Sequence, residues 1–232
     1  MPSDPRVVLA TRNAHKLDEL SRILSALGVP VSLVGLDSFP GMPEVPETGL
    51  TFADNALLKA RAVASFTGLP AVADDSGLCV DALHGMPGIF SARWSGRHGD
   101  DLGNLSLLLG QLADVSERGA QFVCAAVLVL PSPAGEAGGA ASAGEAGGAA
   151  SAGGAGGAAG GRREWVATGV LSGELTRDPR GSGGFGYDPI FVAAGSQVTN
   201  AELTPQQKDA ISHRGRALRA LAPVIAANAA GS

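Results

Sequence analysis

Val7-Val8-Leu9-Ala10-Thr11-Arg12-Asn13-Ala14-His15-Lys16-Leu17 is the stretch from which the fold is read. Its first four residues form an apolar run that reads as a buried strand. From Leu17, apolar residues return at helical spacing as Leu20, Ile23, Leu24 and Leu27, so a helix follows. The polar segment from Thr11 to Lys16 is then the loop of a strand–loop–helix unit. Free N–H groups at the helix start, with donors on Thr11, Asn13 and Lys16, suit an anion. The loop lacks the glycines of a P-loop. Asn13 as a simple helix cap, with His15 and Lys16 solvated, accounts for the same residues.

Outward from this unit, Thr51 with Asp54 three residues on marks a helix start, continued by Ala56, Leu57, Ala60, Val63 and Ala64. Asn55 and Lys59, four apart, share one face of that helix. Apolar runs at 69–73 and 78–80 read as two strands with Ala73-Asp74-Asp75-Ser76-Gly77 at their junction. A Gly/Pro loop at Gly85-Met86-Pro87-Gly88 and a helix carrying Leu105, Leu108, Leu109 and Leu112 lead to a long strand over 121–130. That strand pairs with 164–174 as a hairpin. A strand over 189–192, a short helix starting at Thr204-Pro205 and a last helix capped by Ser212 complete the chain. Leu218, Leu221, Val224 and Ile225 are the buried side of that last helix. Mixed elements with long antiparallel pieces in the middle predict an α/β fold with a mixed sheet.

The chain has 232 residues, 45% of them hydrophobic, enough for a sizeable core in one large domain or two small lobes. Aromatics are scarce, so Leu, Val and Ala must fill it. A formal net charge of -5 argues against general affinity for nucleic acid or an anionic membrane surface. A small anionic ligand needs only a local cluster of cations. Of the basic residues only three are Lys, namely Lys16, Lys59 and Lys208, and each falls in or beside a segment of interest. Cys79 and Cys124 lie in apolar runs and read as small hydrophobes. No basic region followed by an apolar stretch opens the chain and no apolar run nears membrane-spanning length, so a cytoplasmic protein is expected. Residues 131–163 are almost wholly Gly, Ala and Ser, with a direct repeat at 135–143 and 144–152. Such a segment has nothing to bury and reads as a disordered insertion in a single domain spanning 1–232.

Asp74 and Asp75 are good turn residues, and equally good metal ligands at a strand end. Glu47, just ahead of the helix carrying Lys59, favours the metal. Mg²⁺ takes one or two carboxylates with phosphate oxygens and water, which makes Glu47 and Asp75 a reasonable pair. Strand alternation points Asp74 and Asp75 to opposite sides, so only one of them should be essential. Gly183-Gly184-Phe185-Gly186-Tyr187-Asp188 could be a flexible turn, or a platform on which Phe185 meets a flat base. Ser212-His213-Arg214 offers donors, suited to a purine 6-oxo group and mismatched to a 6-amino group.

Taken together these stretches resemble the inosine/xanthosine triphosphate pyrophosphatases, a family acting on noncanonical purine nucleoside triphosphates. The match comprises Thr11-x-Asn13-x-x-Lys16, Glu47-Thr48-Gly49 with Asn55 and Lys59, Ala73 to Gly77, Pro87-Gly88 to Gly96, Gly183 to Pro189, and Ser212-His213-Arg214. The resemblance implies an elongated mixed sheet with helices on its flanks, two lobes with the active-site cleft between them, and a homodimer. It implies Mg²⁺-dependent conversion of dITP, ITP or XTP to the monophosphate and pyrophosphate. On the matching positions, Thr11, Arg12, Asn13, Ala14, His15 and Lys16 with Lys59 would hold the triphosphate, and Glu47 with Asp75 the Mg²⁺. Asp75 would also act in catalysis with Lys59. Phe185 would stack on the base, and Ser76, Gly186, Tyr187, Asp188, Lys208, His213 and Arg214 would complete the nucleotide site. Two departures stand out: Arg12 and His15 replace a frequent Gly, and the Gly/Ala insertion is longer than usual. The rival readings are a related pyrophosphatase for modified pyrimidine or methylated nucleotides and a regulator that binds a nucleotide without hydrolysing it.

Overall fold

The structure is a computed structural model and describes residues 5–132 and 163–228. The Gly/Ala/Ser stretch expected to be disordered lies, over 133–162, outside the described residues. Six strands form one mixed sheet in the order β2-β1-β3-β4-β5-β6: β1 Arg6–Leu9, β2 Ser32–Gly35, β3 Ala71–Val80, β4 Gly119–Val129, β5 Glu164–Leu175 and β6 Phe191–Ala193. β1 runs parallel to β2 and β3, whereas β3, β4, β5 and β6 pair antiparallel in series. The expected hairpin is present as β4 and β5, in register from Gly119↔Glu174 to Val129↔Glu164. Among the described residues five α-helices flank the sheet: α1 Ala14–Ala26, α2 Phe52–Thr67, α3 Asp101–Gln111, α4 Pro205–Ile211 and α5 His213–Asn228.

Local chemistry starts these helices where the sequence indicates. Asn13 Oδ1 accepts from Lys16 N at the head of α1. Thr51 and Asp54 close a reciprocal capping box on α2, which ends at Gly68 in the left-handed region. Thr204 caps α4 with Pro205 in its first turn, and Ser212 Oγ accepts from Gly215 N at the head of α5.

Alternation along the strands then divides the core. Val7, Leu9 and Val72 meet α1 and α5 through Leu20, Leu24, Leu218 and Leu221 on one face. Val8, Ala71 and Ala73 meet Ala56, Ala60 and Val63 of α2 on the other. A third cluster, at the far end of the long strands, joins Leu78, Val80 and Phe122 to Leu105 and Leu108 of α3 and to Phe191. The long strands therefore pass through two lobes, and fully burying each such Leu contributes about 1.5–3 kcal/mol.

Two expectations are corrected. Residues 69–73 and 78–80 are not separate strands around a turn: β3 is continuous over Ala71–Val80 and pairs with β4 at every position from Ala71↔Val129 to Val80↔Ala120. Ten ladder positions outweigh the turn preference of Asp-Asp-Ser-Gly, and Gly77 permits the passage because a Cβ there would collide with the Gly88 carbonyl and Ser91 Oγ. The strand expected over 189–192 is also shorter. A 3₁₀ turn, Asp188–Ile190, precedes β6, since Pro189 has no N–H to give a ladder.

Candidate active site

A cleft of about 720 Å³ opens between the lobes. Its walls come from the 11–16 loop, the segment before α2, the middle of β3, the loop ahead of β6, and the start of α5. Asp75 faces this cleft on the α2 side of the sheet. Its Oδ2 accepts from Asn55 Nδ2 at 3.1 Å, and Lys59 Nζ stands 3.7 Å from its Oδ1. Asn55 is fully buried and its own Oδ1 accepts from Gly49 N, so one carboxamide ties the Glu47 loop to Asp75. Lys59 Nζ donates to Glu47 Oε1 at 2.8 Å, and Arg93 Nη1 reaches Glu47 Oε2 at 3.4 Å.

The charges tune one another. Burial raises Asp75; Lys59 and Lys16 pull it down without overcoming burial, and Glu47 adds to the rise, so its carboxyl stands above the usual range. Burial also pushes Glu47 up, but Lys59, then Lys16 and Arg93, hold it below its usual range and ionised. Burial lowers Lys59, yet Asp75, Asp74 and Glu47 outweigh it and keep the ammonium charged. A single ammonium thus sits between two carboxylates delivered by different segments. Hard oxygens converging on one positive centre are the donor set Mg²⁺ takes alongside phosphate oxygens and water, so the residues fit that ion. Among the described residues no group of three or more His, Cys, Asp or Glu forms a metal cage. A site completed by substrate oxygens does not need one.

Asp74 points the other way. It is buried on the α1/α5 side, where Lys16 Nζ lies 3.1 Å and Arg214 Nε 3.0 Å from its Oδ2. Burial would raise it, but Lys16 and Arg214 hold it far below the ordinary carboxylate range. Arg214 is fully buried and its three nitrogens go to Asp74, to Glu19 Oε2 at 2.5 Å and to Ser76 Oγ at 2.7 Å. Glu19 belongs to α1, and sequence reasoning missed it. The available signal was an acid four residues before Ile23, on the helix's apolar side.

The second half of the cleft is built by the 183–188 loop and the start of α5. Phe185 stacks with His15 at 5.6 Å between ring centroids, with Lys208 Nζ 4.7 Å and Arg214 Cζ 5.7 Å from its centroid. Asp188 is buried and accepts from Lys208 Nζ at 2.6 Å and from Phe185 N at 2.9 Å. Tyr187 donates its hydroxyl to Ser91 O at 3.0 Å, and Gly186 N donates to Asp101 Oδ2 at 2.8 Å. His213 packs flat on Phe122, and its buried Nδ1 has no hydrogen-bond partner among the described residues. Burial, with Arg214 and Lys208 beside it, pushes this imidazole well below its usual range, so it is neutral at physiological pH.

The predicted residues are therefore largely gathered in one place: Thr11, Arg12, Asn13, Lys16, Glu47, Lys59, Asp75, Ser76, Phe185, Gly186, Tyr187, Asp188, Lys208, His213 and Arg214 all line the cleft. Ala14 and His15 do not line it. Asn13 does cap α1, but Lys16 is ion-paired rather than solvated. Arg12 reaches across to donate to Met42 O at 2.5 Å. Arg93, inside the matched 87–96 stretch, and Asp101 also line the cleft, and neither was assigned a role from the sequence.

A family model described as the Ham1 family matches residues 7–224. The chain belongs to the Ham1 family. A relative from Streptomyces coelicolor, named dITP/XTP pyrophosphatase, is 54% identical over 222 residues, covering 95% of this chain and 96% of its own length. A solved Ham1 protein from Coxiella burnetii superposes with a TM-score of 0.75 at 38% identity, covering 95% of this chain and 98% of that one. The crystal structure of a nucleoside-triphosphatase, dITP/XTP pyrophosphatase, from Mycobacterium abscessus gives a TM-score of 0.67 at 50% identity over 94% of this chain and 99% of that one. The curled mixed sheet flanked by helices is thus the Ham1 fold, and its cleft is where this family member gathers its charged residues.

Proposed function

We propose that this chain hydrolyses noncanonical purine nucleoside triphosphates, dITP, ITP and XTP, to the monophosphate and pyrophosphate, with Mg²⁺. The observation that carries the reading is the Asp75–Lys59–Glu47 constellation on the cleft wall of a chain about half identical to relatives named dITP/XTP pyrophosphatase.

In this reading the triphosphate lies between the 11–16 loop and Lys59. Lys59 and Lys16 place two ammonium groups beside the phosphates, with Thr11 and Asn13 as neutral neighbours. Asp75, raised by burial, is suited to take a proton from a water molecule. The water oxygen forms a bond to the α-phosphorus, and the bond from that phosphorus to the oxygen bridging to the β-phosphate breaks. The lysines balance the charge that gathers on the departing pyrophosphate. Asn55 fixes the Asp75 carboxylate in this orientation. Glu47 and Asp75 would hold Mg²⁺, whose charge at the phosphate oxygens supplements that of the lysines.

At the other end Phe185 offers a ring face to the base, and His213 lines the cleft beside it. Arg214 supports that region from within, through Ser76 and Asp74. A homodimer and a cytoplasmic location belong to the same proposal. No helix among the described residues is long and apolar enough to cross a membrane.

The test is pyrophosphate release from dITP, XTP, dGTP and dATP, each with and without Mg²⁺. Release confined largely to dITP and XTP, and dependent on the metal, is expected. Tight binding of dITP without release would instead support a nucleotide-binding regulator.

A further inference from the structure

We propose that His15 is a positioning residue for the base platform, bracing the Phe185 ring from the side away from the main cleft. The inference rests on the pyrophosphatase reading above. Thr11, Arg12, Asn13 and Lys16 of the same loop line the large cleft, whereas His15 turns from it and lines a second cavity of about 280 Å³. Phe185 lines both cavities and so stands between them. The imidazole and the phenyl ring are nearly parallel, at 14° and 5.6 Å between centroids, within the range of offset aromatic stacks.

The ring needs such support. Gly184 and Gly186 on either side both have left-handed φ, 72° and 61°, and offer no side chains to hold it. Asp188 fixes the Phe185 backbone N–H but not the ring. What holds the ring comes from elsewhere in the chain: Lys208, Arg214 and His15. Lys208 is committed to Asp188, and Arg214 to Asp74 and Glu19. His15 is the support that comes from the loop expected to carry the phosphates, so it joins the phosphate-holding segment to the base-holding one. Without it the ring gains rotamer freedom that stacking on a base must remove, which weakens substrate and transition-state binding alike.

Steady-state kinetics with dITP on the wild type, His15→Ala, His15→Phe, Phe185→Leu and the His15→Ala/Phe185→Leu double variant test this, with inorganic tripolyphosphate as a competitive inhibitor that has no base. His15→Ala is expected to raise KM about three- to tenfold, the factor for losing one aromatic pair. kcat should stay within about twofold, the signature of lost uniform binding. His15→Phe should restore KM, the inhibition constant of tripolyphosphate should not move, and His15→Ala should add nothing in the Phe185→Leu background. Unchanged KM in His15→Ala, equal weakening of tripolyphosphate, or additive effects in the double variant would each overturn the brace while leaving the pyrophosphatase reading intact. A wild-type protein that releases no pyrophosphate from dITP overturns that reading, and the brace with it.

Discussion

Asp74 and Asp75 are consecutive on β3 and serve opposite faces of the sheet: Asp74 Oδ2 lies 3.0 Å from Arg214 Nε, while Asp75 Oδ1 lies 3.7 Å from Lys59 Nζ. The pleat enforces this division. Asp75 lines the cleft and Asp74 does not. One carboxylate is available to a substrate, and its neighbour is spent neutralising a buried guanidinium and Lys16.

Replacing Asp75 with Asn should lower turnover of dITP by about 10²- to 10³-fold, the effect of removing one key electrostatic group. The same variant should melt no lower than the wild type. Burial holds the Asp75 carboxyl above its usual range, so the ionised form is disfavoured by folding and its net contribution to stability is lost as pH rises. Turnover near the wild-type rate would remove Asp75 from the mechanism.

Asp74→Ala should behave in the opposite sense, as a folding defect. It leaves Arg214 buried with one acid partner fewer and Lys16 without this one, at a cost of about 3–5 kcal/mol. Urea unfolding would measure it. A midpoint equal to that of the wild type would show that Glu19 alone suffices to hold the guanidinium.

Glu47→Gln keeps the shape of the side chain and removes its charge. If Glu47 and Asp75 hold Mg²⁺ together, the Mg²⁺ concentration for half-maximal pyrophosphate release should rise at least about tenfold. Magnesium titration of both proteins decides it, and coincident curves would exclude Glu47 as a ligand.

Stability should fall as the solution is acidified below about pH 6.5, the usual imidazole value. Burial, Arg214 and Lys208 keep His213 neutral in the folded state, so the unfolded chain takes up a proton that the native one does not. The unfolding free energy then drops by up to about 1.4 kcal/mol per pH unit until the depressed native value is reached. Asp74, held low in the fold, adds its own loss only at more acid pH, below about 3.9. His213→Gln should flatten the higher of these slopes in urea unfolding measured across that range.

Much of this molecule was legible from local pattern. The spacing of Leu17, Leu20, Ile23 and Leu24 and the Thr51–Asp54 box located α1 and α2 because caps and amphipathic faces act over one or two turns. Period-two alternation alone indicated that Asp74 and Asp75 would part company. The motif residues Glu47, Lys59, Asp75, Phe185 and His213 pointed to the cleft before its shape was known.

What the sequence by itself determined, then, is the main helices with their caps, the β4–β5 hairpin, the opposite facing of Asp74 and Asp75, and family membership. Only the tertiary structure decided that β3 runs unbroken through Asp74-Asp75-Ser76-Gly77, since a ten-position ladder with β4 is a long-range partner that turn propensity cannot foresee. It alone joined Glu19 to Arg214 across 195 residues, Arg93 to Glu47, and His15 to Phe185. The physical reason is range. Capping and periodicity are settled by neighbours along the chain, whereas the partner of a buried charge or ring is settled by which helices the sheet brings together over one face.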